Sequence, residues 1–258
     1  MSMPRPTATH WLRGLIFNLW MGGSALVLGA MTLPVLLVRP DLTLPVVRIW
    51  CRANLAALRI ICDVRVELRG LHHLPTTGVL IAGKHQSMLD TVAPFVFLSA
   101  PSIVLKQELL AIPVYGWFAR RSGMIAIDRE GAAKTLRALI KAVRQRFDAG
   151  RQVLIFPEGT RTAPGAPPDY KPGIAALYRE LEVACVPMAT NSGLHWPAHG
   201  IARIPGVVVF ELLPPIPAGL KRPVFMRELE TRIEGATARL LEADDLAATH
   251  SPPVPSVL

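Results

Sequence analysis

Residues 78–90, GVLIAGKHQSMLD, decide how this chain folds and indicate where its chemistry lies. Residues 78–82 form a short, uninterrupted apolar run, the pattern of a strand that is buried on both faces of a sheet. A polar segment, residues 83–90, follows at once, and we expect the chain there to leave the sheet and open a helix. Because functional side chains are often displayed on the loops after such strands, this segment is the first candidate site.

Further apolar runs and helical patterns surround this segment and predict an α/β fold. One apolar stripe with i, i+3, i+4, i+7, i+11 spacing ends before Gly150, and it consists of Leu136, Leu139, Ile140, Val143 and Phe147. A second stripe consists of Phe225, Leu229, Ile233, Ala236 and Leu240. The other strand candidates are residues 64–68, 102–105, 124–127, 153–156, 183–189 and 207–212. Strands that alternate with helices indicate a largely parallel sheet flanked by helices.

The N-terminus predicts a hydrophobic helical membrane anchor. Residues 14–38 carry no charge between Arg13 and Arg39, and this run exceeds the roughly 20 residues that a spanning helix needs. It is also longer than the ~7–15-residue core of a cleaved signal peptide, which is the less favoured alternative. Residues 42–61 are amphipathic, with arginines and Trp50, as in helices that lie among headgroups. A spanning helix and two helices that dip into one leaflet both stay open.

The bulk composition agrees with a membrane-bound protein of three segments. Hydrophobic residues make up 51% of the chain and charged residues 18%, against about 25% charged residues in typical domains. We expect anchoring helices at residues 1–61, an α/β domain at 62–250 and a Pro-rich tail at 251–258. The three cysteines, Cys51, Cys62 and Cys185, form no CxxC pair, so we expect buried thiols on the cytoplasmic side, without disulfides or a metal.

The net charge of +9 predicts an anionic partner. The basic residues are spread along the chain, and neither zinc-finger spacing nor an aromatic RNA-binding pattern occurs, so no nucleic acid is expected. An anionic membrane and an anionic substrate explain the charge better.

His85 and Asp90 are the candidate catalytic pair. On one continuous helix, five positions at about 100° each would leave them roughly 140° apart, so pairing requires His85 on the loop and Asp90 inside the helix. Asp90 would then accept a hydrogen bond from one ring nitrogen and leave the other as a general base. Residues 78–85 also nearly match the phosphate-binding loop GxxxxGK[ST], but His85 replaces the last hydroxyl and strand-forming residues fill the loop, which argues against nucleotide binding.

A second candidate segment, FPEGTRT at residues 156–162, follows another buried strand. Arg161, the hydroxyls of Thr160 and Thr162, and the amides near Gly159 suit a phosphate group. Glu158 would position Arg161 or a substrate hydroxyl. Taken alone, the segment is also compatible with an ordinary turn.

Four segments, in this order, resemble the sequence blocks of the glycerolipid acyltransferases, most closely the bacterial 1-acylglycerol-3-phosphate acyltransferases. The blocks are HxxxxD at His85 and Asp90, a strand-end lysine at Lys106 with G-x-I-x-x-x-R at 123–129, FPEGTR plus Ser or Thr at 156–162, and V-P-[IVM] at 186–188. The resemblance covers about residues 60–215. Four blocks in register are much more specific than any one of them.

The resemblance implies transfer of an acyl group from acyl-CoA or acyl carrier protein to the free hydroxyl of lysophosphatidic acid. It implies a membrane-associated enzyme, at the cytoplasmic face of a bacterial inner membrane, that uses no cofactor beyond the acyl donor. His85 would deprotonate the hydroxyl, and Asp90 would fix the imidazole tautomer. The implied acceptor-phosphate site consists of Lys106, Arg129 and Arg161, with Glu158, Gly159 and Thr160 shaping the pocket.

Three alternatives stay open at this point. The acceptor lipid could instead be glycerol-3-phosphate or a lyso-aminolipid such as lyso-ornithine lipid. A lipid hydrolase is disfavoured because the sequence has no GxSxG elbow. A non-enzymatic membrane adaptor would have retained the motifs by descent alone.

Overall fold

A computed structural model describes residues 6–75, 78–127 and 132–250 of the chain. The described part contains a seven-stranded sheet, and all seven strand candidates are confirmed to within two residues of their expected bounds. The strands are β1 Val64–Arg69, β2 Val79–Gly83, β3 Pro101–Lys106, β4 Ile125–Ile127, β5 Gln152–Ile155, β6 Cys185–Thr190 and β7 Gly206–Leu212. The helices are α1 Ala8–Val38, α2 Thr43–Cys62, α3 Leu89–Val92, α4 Pro94–Phe97, α5 Tyr115–Arg121, α6 Ala132–Asp148, α7 Gly173–Leu181, α8 Ser192–His195 and α9 Arg222–His250.

The sheet is mixed and mostly parallel, with the order β1-β7-β6-β2-β5-β3-β4. Pairing is parallel throughout except between β6 and β7, which run antiparallel. The predicted α/β class with a largely parallel sheet is confirmed. The parallel register of β2 with β5, from Val79 opposite Gln152 to Ala82 opposite Ile155, brings the carboxyl ends of these strands side by side.

The central strand β2 is buried on both faces because it lies between two apolar cores. Successive side chains of a strand point to opposite faces. Ile81 accordingly packs in the core formed with α1, α2 and α4, whereas Leu80 and Ala82 pack in the core formed with α6, α7 and α9. The two expected helical stripes are confirmed on α6 and α9, where Val143 and Ile233 have no exposed surface.

Within the described residues, α1 is the one helix long and apolar enough to cross a membrane. Its 31 residues extend through Pro34, and only Gly14, Phe17, Gly29 and Leu36 are buried. Many of the other apolar side chains of α1 are exposed, including Trp11, Leu19, Leu26 and Met31. The helix is nevertheless attached to the sheet domain, because the buried Arg203 donates to Asn18 Oδ1 at 2.9 Å. The expected boundary between anchor and α/β domain after residue 61 stays a prediction, and the tail at 251–258 lies outside the described residues.

Candidate active site

The candidate site lies where β2 and β5 end, at their shared carboxyl edge of the sheet. Parallel sheets bind ligands in crevices at this edge, because the loops that leave the strands meet there. The loop from Lys84 to Met88 leaves β2, and residues 156–162 leave β5. The two loops are joined directly, because the backbone N–H of Thr162 donates to the carbonyl oxygen of His85 at 2.9 Å.

His85 and Asp90 meet in the way the loop-and-helix arrangement requires. His85 lies on the loop, Asp90 lies in the first turn of α3, and His85 Nδ1 is 3.0 Å from Asp90 Oδ2. The same carboxylate oxygen accepts the backbone N–H groups of Gln86 at 2.7 Å and Ser87 at 2.8 Å. An ionised carboxylate is an acceptor only, so Nδ1 carries the proton and Nε2 is left as the basic nitrogen.

Burial and stacking hold the imidazole in one orientation. Asp90 is fully buried, whereas the side chain of His85 retains 14% of its exposure. The His85 ring stacks on Phe156, with centroids 4.1 Å apart and planes 17° from parallel. A ring that is fixed by Asp90 on its edge and by Phe156 on its face loses little freedom when a substrate binds.

Glu158 does not contact Arg161, one of the two groups that it was expected to position. It is 2% exposed, and its two oxygens accept hydrogen bonds from Lys84 Nζ at 3.0 Å and from the Thr162 hydroxyl at 3.0 Å. Arg161 instead donates to the carbonyl oxygen of Ala198 at 3.1 Å. The expected contact with Arg161 is therefore wrong, because Lys84 and Thr162 occupy the two carboxylate oxygens, whereas a role toward a substrate hydroxyl stays a prediction.

Two of the three cations expected to hold a phosphate border the same cavity as His85. Lys106 ends β3, its ammonium 3.0 Å from Glu108, and Arg161 follows Thr160 on the loop after β5. Arg129 lies outside the described residues. A further cation, Lys171, also borders the cavity and was not singled out in the sequence, where a lysine in a Pro-rich loop carries no distinguishing pattern.

The cavity has a volume of about 1090 Å³ and extends from the His85 loop to the N-terminal helices. Glu158, Gly159 and Thr160 line the end near His85. Two expected site residues that the structure describes do not line the cavity: Asp90 lies behind the imidazole, and the hydroxyl of Thr162 donates to Glu158. The far wall is apolar and consists of residues of α1, α2 and α5, among them Met21, Leu28, Val47, Trp50 and Phe118. Sequence patterns gave no sign that the anchor helices line the site.

The cavity offers no strong alternative nucleophile of the thiol type. Cys51 lines it, but burial raises the pKa of this thiol to about 12, so the thiolate that a nucleophile requires is scarce at neutral pH. All three cysteines are buried, as expected. In the part of the chain that the structure describes, no group of three or more His, Cys, Asp or Glu side chains could hold a metal ion.

Comparisons with known proteins agree on one family. The family model described as Acyltransferase matches residues 65–191. The 1-acyl-sn-glycerol-3-phosphate acyltransferase of Pseudomonas aeruginosa is 34% identical over 251 residues, which cover 96% of this chain and 97% of that protein. The corresponding alpha enzyme of Homo sapiens is 27% identical over 82% of this chain and 74% of its own length. The crystal structure of the 1-acyl-sn-glycerophosphate acyltransferase of Thermotoga maritima shares the fold, with a TM-score of 0.73 at 21% identity, over 90% of this chain and 97% of that one.

Proposed function

This chain belongs to the acyltransferase family, and from that membership we propose that it acylates the free sn-2 hydroxyl of lysophosphatidic acid to give phosphatidic acid. The P. aeruginosa relative, which this chain matches over nearly its full length, carries the name of that activity. The observation that carries the proposal is the His85–Asp90 pair, 3.0 Å apart, at one end of a cavity whose far wall is apolar. A base and a lipid-sized cavity are what acyl transfer to a lysolipid needs.

His85 acts as the general base in this scheme. Nε2 takes the proton of the acceptor hydroxyl while its oxygen attacks the thioester carbonyl of the donor. The tetrahedral intermediate then collapses, the carbon–sulfur bond breaks, and the imidazolium returns the proton to the leaving thiolate. Asp90 stabilises the imidazolium through its hydrogen bond to Nδ1, as in other His–Asp pairs. Transfer is direct, and no acyl-enzyme is formed.

Cationic side chains bind the substrates at one end of the cavity, and apolar side chains bind them at the other. Lys106, Arg161 and Arg129 together bind the acceptor phosphate, since charge-assisted hydrogen bonds are stronger than those between neutral groups. Gly159 and Thr160 shape the phosphate-binding end of the cavity, and Glu158 supports it through its hydrogen bonds with Lys84 and Thr162. The apolar wall formed by α1, α2 and α5 takes acyl chains, which lowers the free energy of binding in proportion to the apolar area buried.

The donor is acyl-CoA or acyl carrier protein, both of which present a thioester and carry negative charge. The outward-facing apolar side chains of α1 associate the protein with a membrane, and an anionic leaflet suits the net charge of +9. We place it at the cytoplasmic face of a bacterial inner membrane, where acyl donors and reduced thiols are found.

A competition assay tests the proposal. Purified protein in detergent micelles receives labelled acyl-CoA with lysophosphatidic acid, glycerol-3-phosphate and lyso-ornithine lipid at equal concentrations, and the products are separated by chromatography. We expect labelled phosphatidic acid as the main product. Label only in another acceptor would contradict the choice of lysophosphatidic acid. If no acceptor is labelled, the assay is repeated with acyl carrier protein that bears the labelled acyl chain. No transfer from either donor would refute the claim that the protein is an enzyme and leave the membrane adaptor.

A further inference from the structure

Lys84, the residue directly before His85, is almost completely buried. Its side chain is 2% exposed, although lysines are mostly found at the surface. Its ammonium group donates to Glu158 Oε1 at 3.0 Å and to the two carboxylate oxygens of Glu234 at 2.9 and 3.1 Å. A buried charge is tolerated only when it is paired and hydrogen-bonded, so these carboxylates keep Lys84 in place.

Glu234 lies on α9, far from the catalytic motifs in sequence. It is outside residues 65–191, the segment that the family model matches. Its Oε1 also accepts the hydroxyl of Tyr170 at 2.9 Å. Burial, followed by the charge of Glu234, raises the pKa of Tyr170, so the hydroxyl remains a neutral donor. Two donors, Lys84 and Tyr170, therefore fix the position of the Glu234 carboxylate.

The same cluster, in which Lys84 and Glu158 are buried and Glu234 keeps 26% of its side-chain exposure, reaches His85 along two paths. Lys84 is joined to His85 by their peptide bond. Glu158 accepts the hydroxyl of Thr162, whose backbone N–H in turn donates to the carbonyl oxygen of His85 at 2.9 Å. The backbone on both sides of the His85 side chain is thus held by groups that bind one another.

We propose that Glu234 is a positioning residue for acyl transfer: through Lys84 and Glu158 it holds the His85 loop where the imidazole meets Asp90. The inference rests on the proposed function, because it gives the C-terminal helix a part in that reaction. Among the described residues that line the cavity Glu234 is absent, so it acts through its partners and not by touching a substrate.

The test is the Glu234→Gln variant, which keeps the shape of the side chain but removes one of the two charges around the ammonium. Lys84 then moves toward Glu158, and the peptide that it shares with His85 shifts. Small displacements of a catalytic group cost up to about 10²-fold in rate, so we expect kcat to fall about 10- to 100-fold. KM for both substrates should stay within about threefold, because substrate contacts are untouched. Rates are measured well below the thermal midpoint of each variant.

Matched variants separate positioning from folding. Glu242→Gln removes the same charge from an exposed site about two turns later on α9, and its kcat should equal that of wild type. Glu234→Asp restores the charge and should recover part of the lost kcat. Tyr170→Phe keeps every charge and removes only one hydrogen bond to Glu234, so it should fold and show a smaller loss of kcat. If Glu234→Gln does not fold, a kcat of Tyr170→Phe equal to that of wild type would overturn the inference.

The outcomes are distinguishable. Unchanged kcat with a lowered thermal midpoint in Glu234→Gln would make Glu234 a structural residue only and overturn the inference. Raised KM with unchanged kcat would place it in substrate binding, which also overturns the inference. Wild type that forms no phosphatidic acid would contradict the proposed function itself, and the inference would lose its basis.

Discussion

The His85–Asp90 pair makes a quantitative prediction for Asp90→Asn. The asparagine oxygen can replace Oδ2 and still accept the backbone N–H groups of Gln86 and Ser87, which lie at 2.7 and 2.8 Å. The amide nitrogen then faces the Ser87 hydroxyl, 3.3 Å from Oδ1, which can turn to accept. Folding should therefore change little, by about 1 kcal/mol or less. The negative charge that stabilises the imidazolium is lost, however.

The catalytic loss should be large by comparison. General-base catalysis contributes about 10²–10⁴-fold, and Asp90 supports the base directly, so we expect kcat to fall within this range. At 1.36 kcal/mol for each factor of ten, the transition state loses about 3–5 kcal/mol. Asp90→Ala should show the same catalytic loss and a second effect. It leaves two buried N–H groups without an acceptor, at about 1–3 kcal/mol each, so unfolding should become about 2–6 kcal/mol easier.

The assay pairs initial rates of phosphatidic acid formation with urea unfolding of the same preparations. The predicted signature is a folded, inactive Asp90→Asn beside a destabilised, inactive Asp90→Ala. An Asp90→Asn variant that keeps kcat within about threefold of wild type would refute the role of the carboxylate charge. Asparagine and alanine variants of equal stability would refute the hydrogen-bond account of the loop.

Three further predictions concern binding, backbone strain and a buried thiol. Arg161→Ala should raise KM for lysophosphatidic acid about 10- to 100-fold, since a charge-assisted hydrogen bond contributes about 1.5–3 kcal/mol; an unchanged KM in initial-rate assays would exclude Arg161 from the phosphate site. Gly70→Ala should lower the free energy of unfolding by at least about 1–3 kcal/mol, because Gly70 has a φ of 72° and an added Cβ would lie 2.0 Å from the Leu212 oxygen; an unchanged urea midpoint would contradict this. Burial raises the pKa of Cys185 above its ordinary 9.0, so its contribution to stability is complete below pH 9 and is lost as the pH rises further. Urea titrations should therefore show a shallower decline above pH 9 for Cys185→Ala than for wild type, and parallel declines would contradict the assignment.

The strands and the general location of the site could be predicted from local sequence. Buried strands such as β2 and β5 are short apolar runs, and their periodicity is visible without any structure. Once both are assigned to a parallel sheet, the segments that follow them belong at one edge. The approach of His85 to the loop at 156–162 follows from that argument.

Interactions between distant parts of the chain could not be predicted in this way. Lys84 has the sequence appearance of a surface lysine, and its burial depends on Glu234, 150 residues away. The antiparallel pairing of β6 with β7 likewise leaves no local pattern. The contact expected between Glu158 and Arg161 was wrong for the same reason, because Glu158 pairs with Lys84, which lies far from it in the sequence.

The sequence also could not predict that the anchor helices line the site. An apolar run such as residues 14–38 has the same composition whether it faces lipid, a core or a ligand cavity. Only the packing of α1 and α2 beside α5 shows that some of these side chains line the cavity that reaches His85.

The most direct test of the central claim compares wild type with His85→Ala in the formation of labelled phosphatidic acid from lysophosphatidic acid and acyl-CoA. His85→Ala should remain folded, with a somewhat lower thermal midpoint because the stacking on Phe156 and the bond to Asp90 are lost, and kcat should fall about 10²–10⁴-fold, the contribution of a general base. A folded His85→Ala variant whose kcat stays within about threefold of wild type would contradict the account, because the base at the end of β2 would then have no part in the reaction.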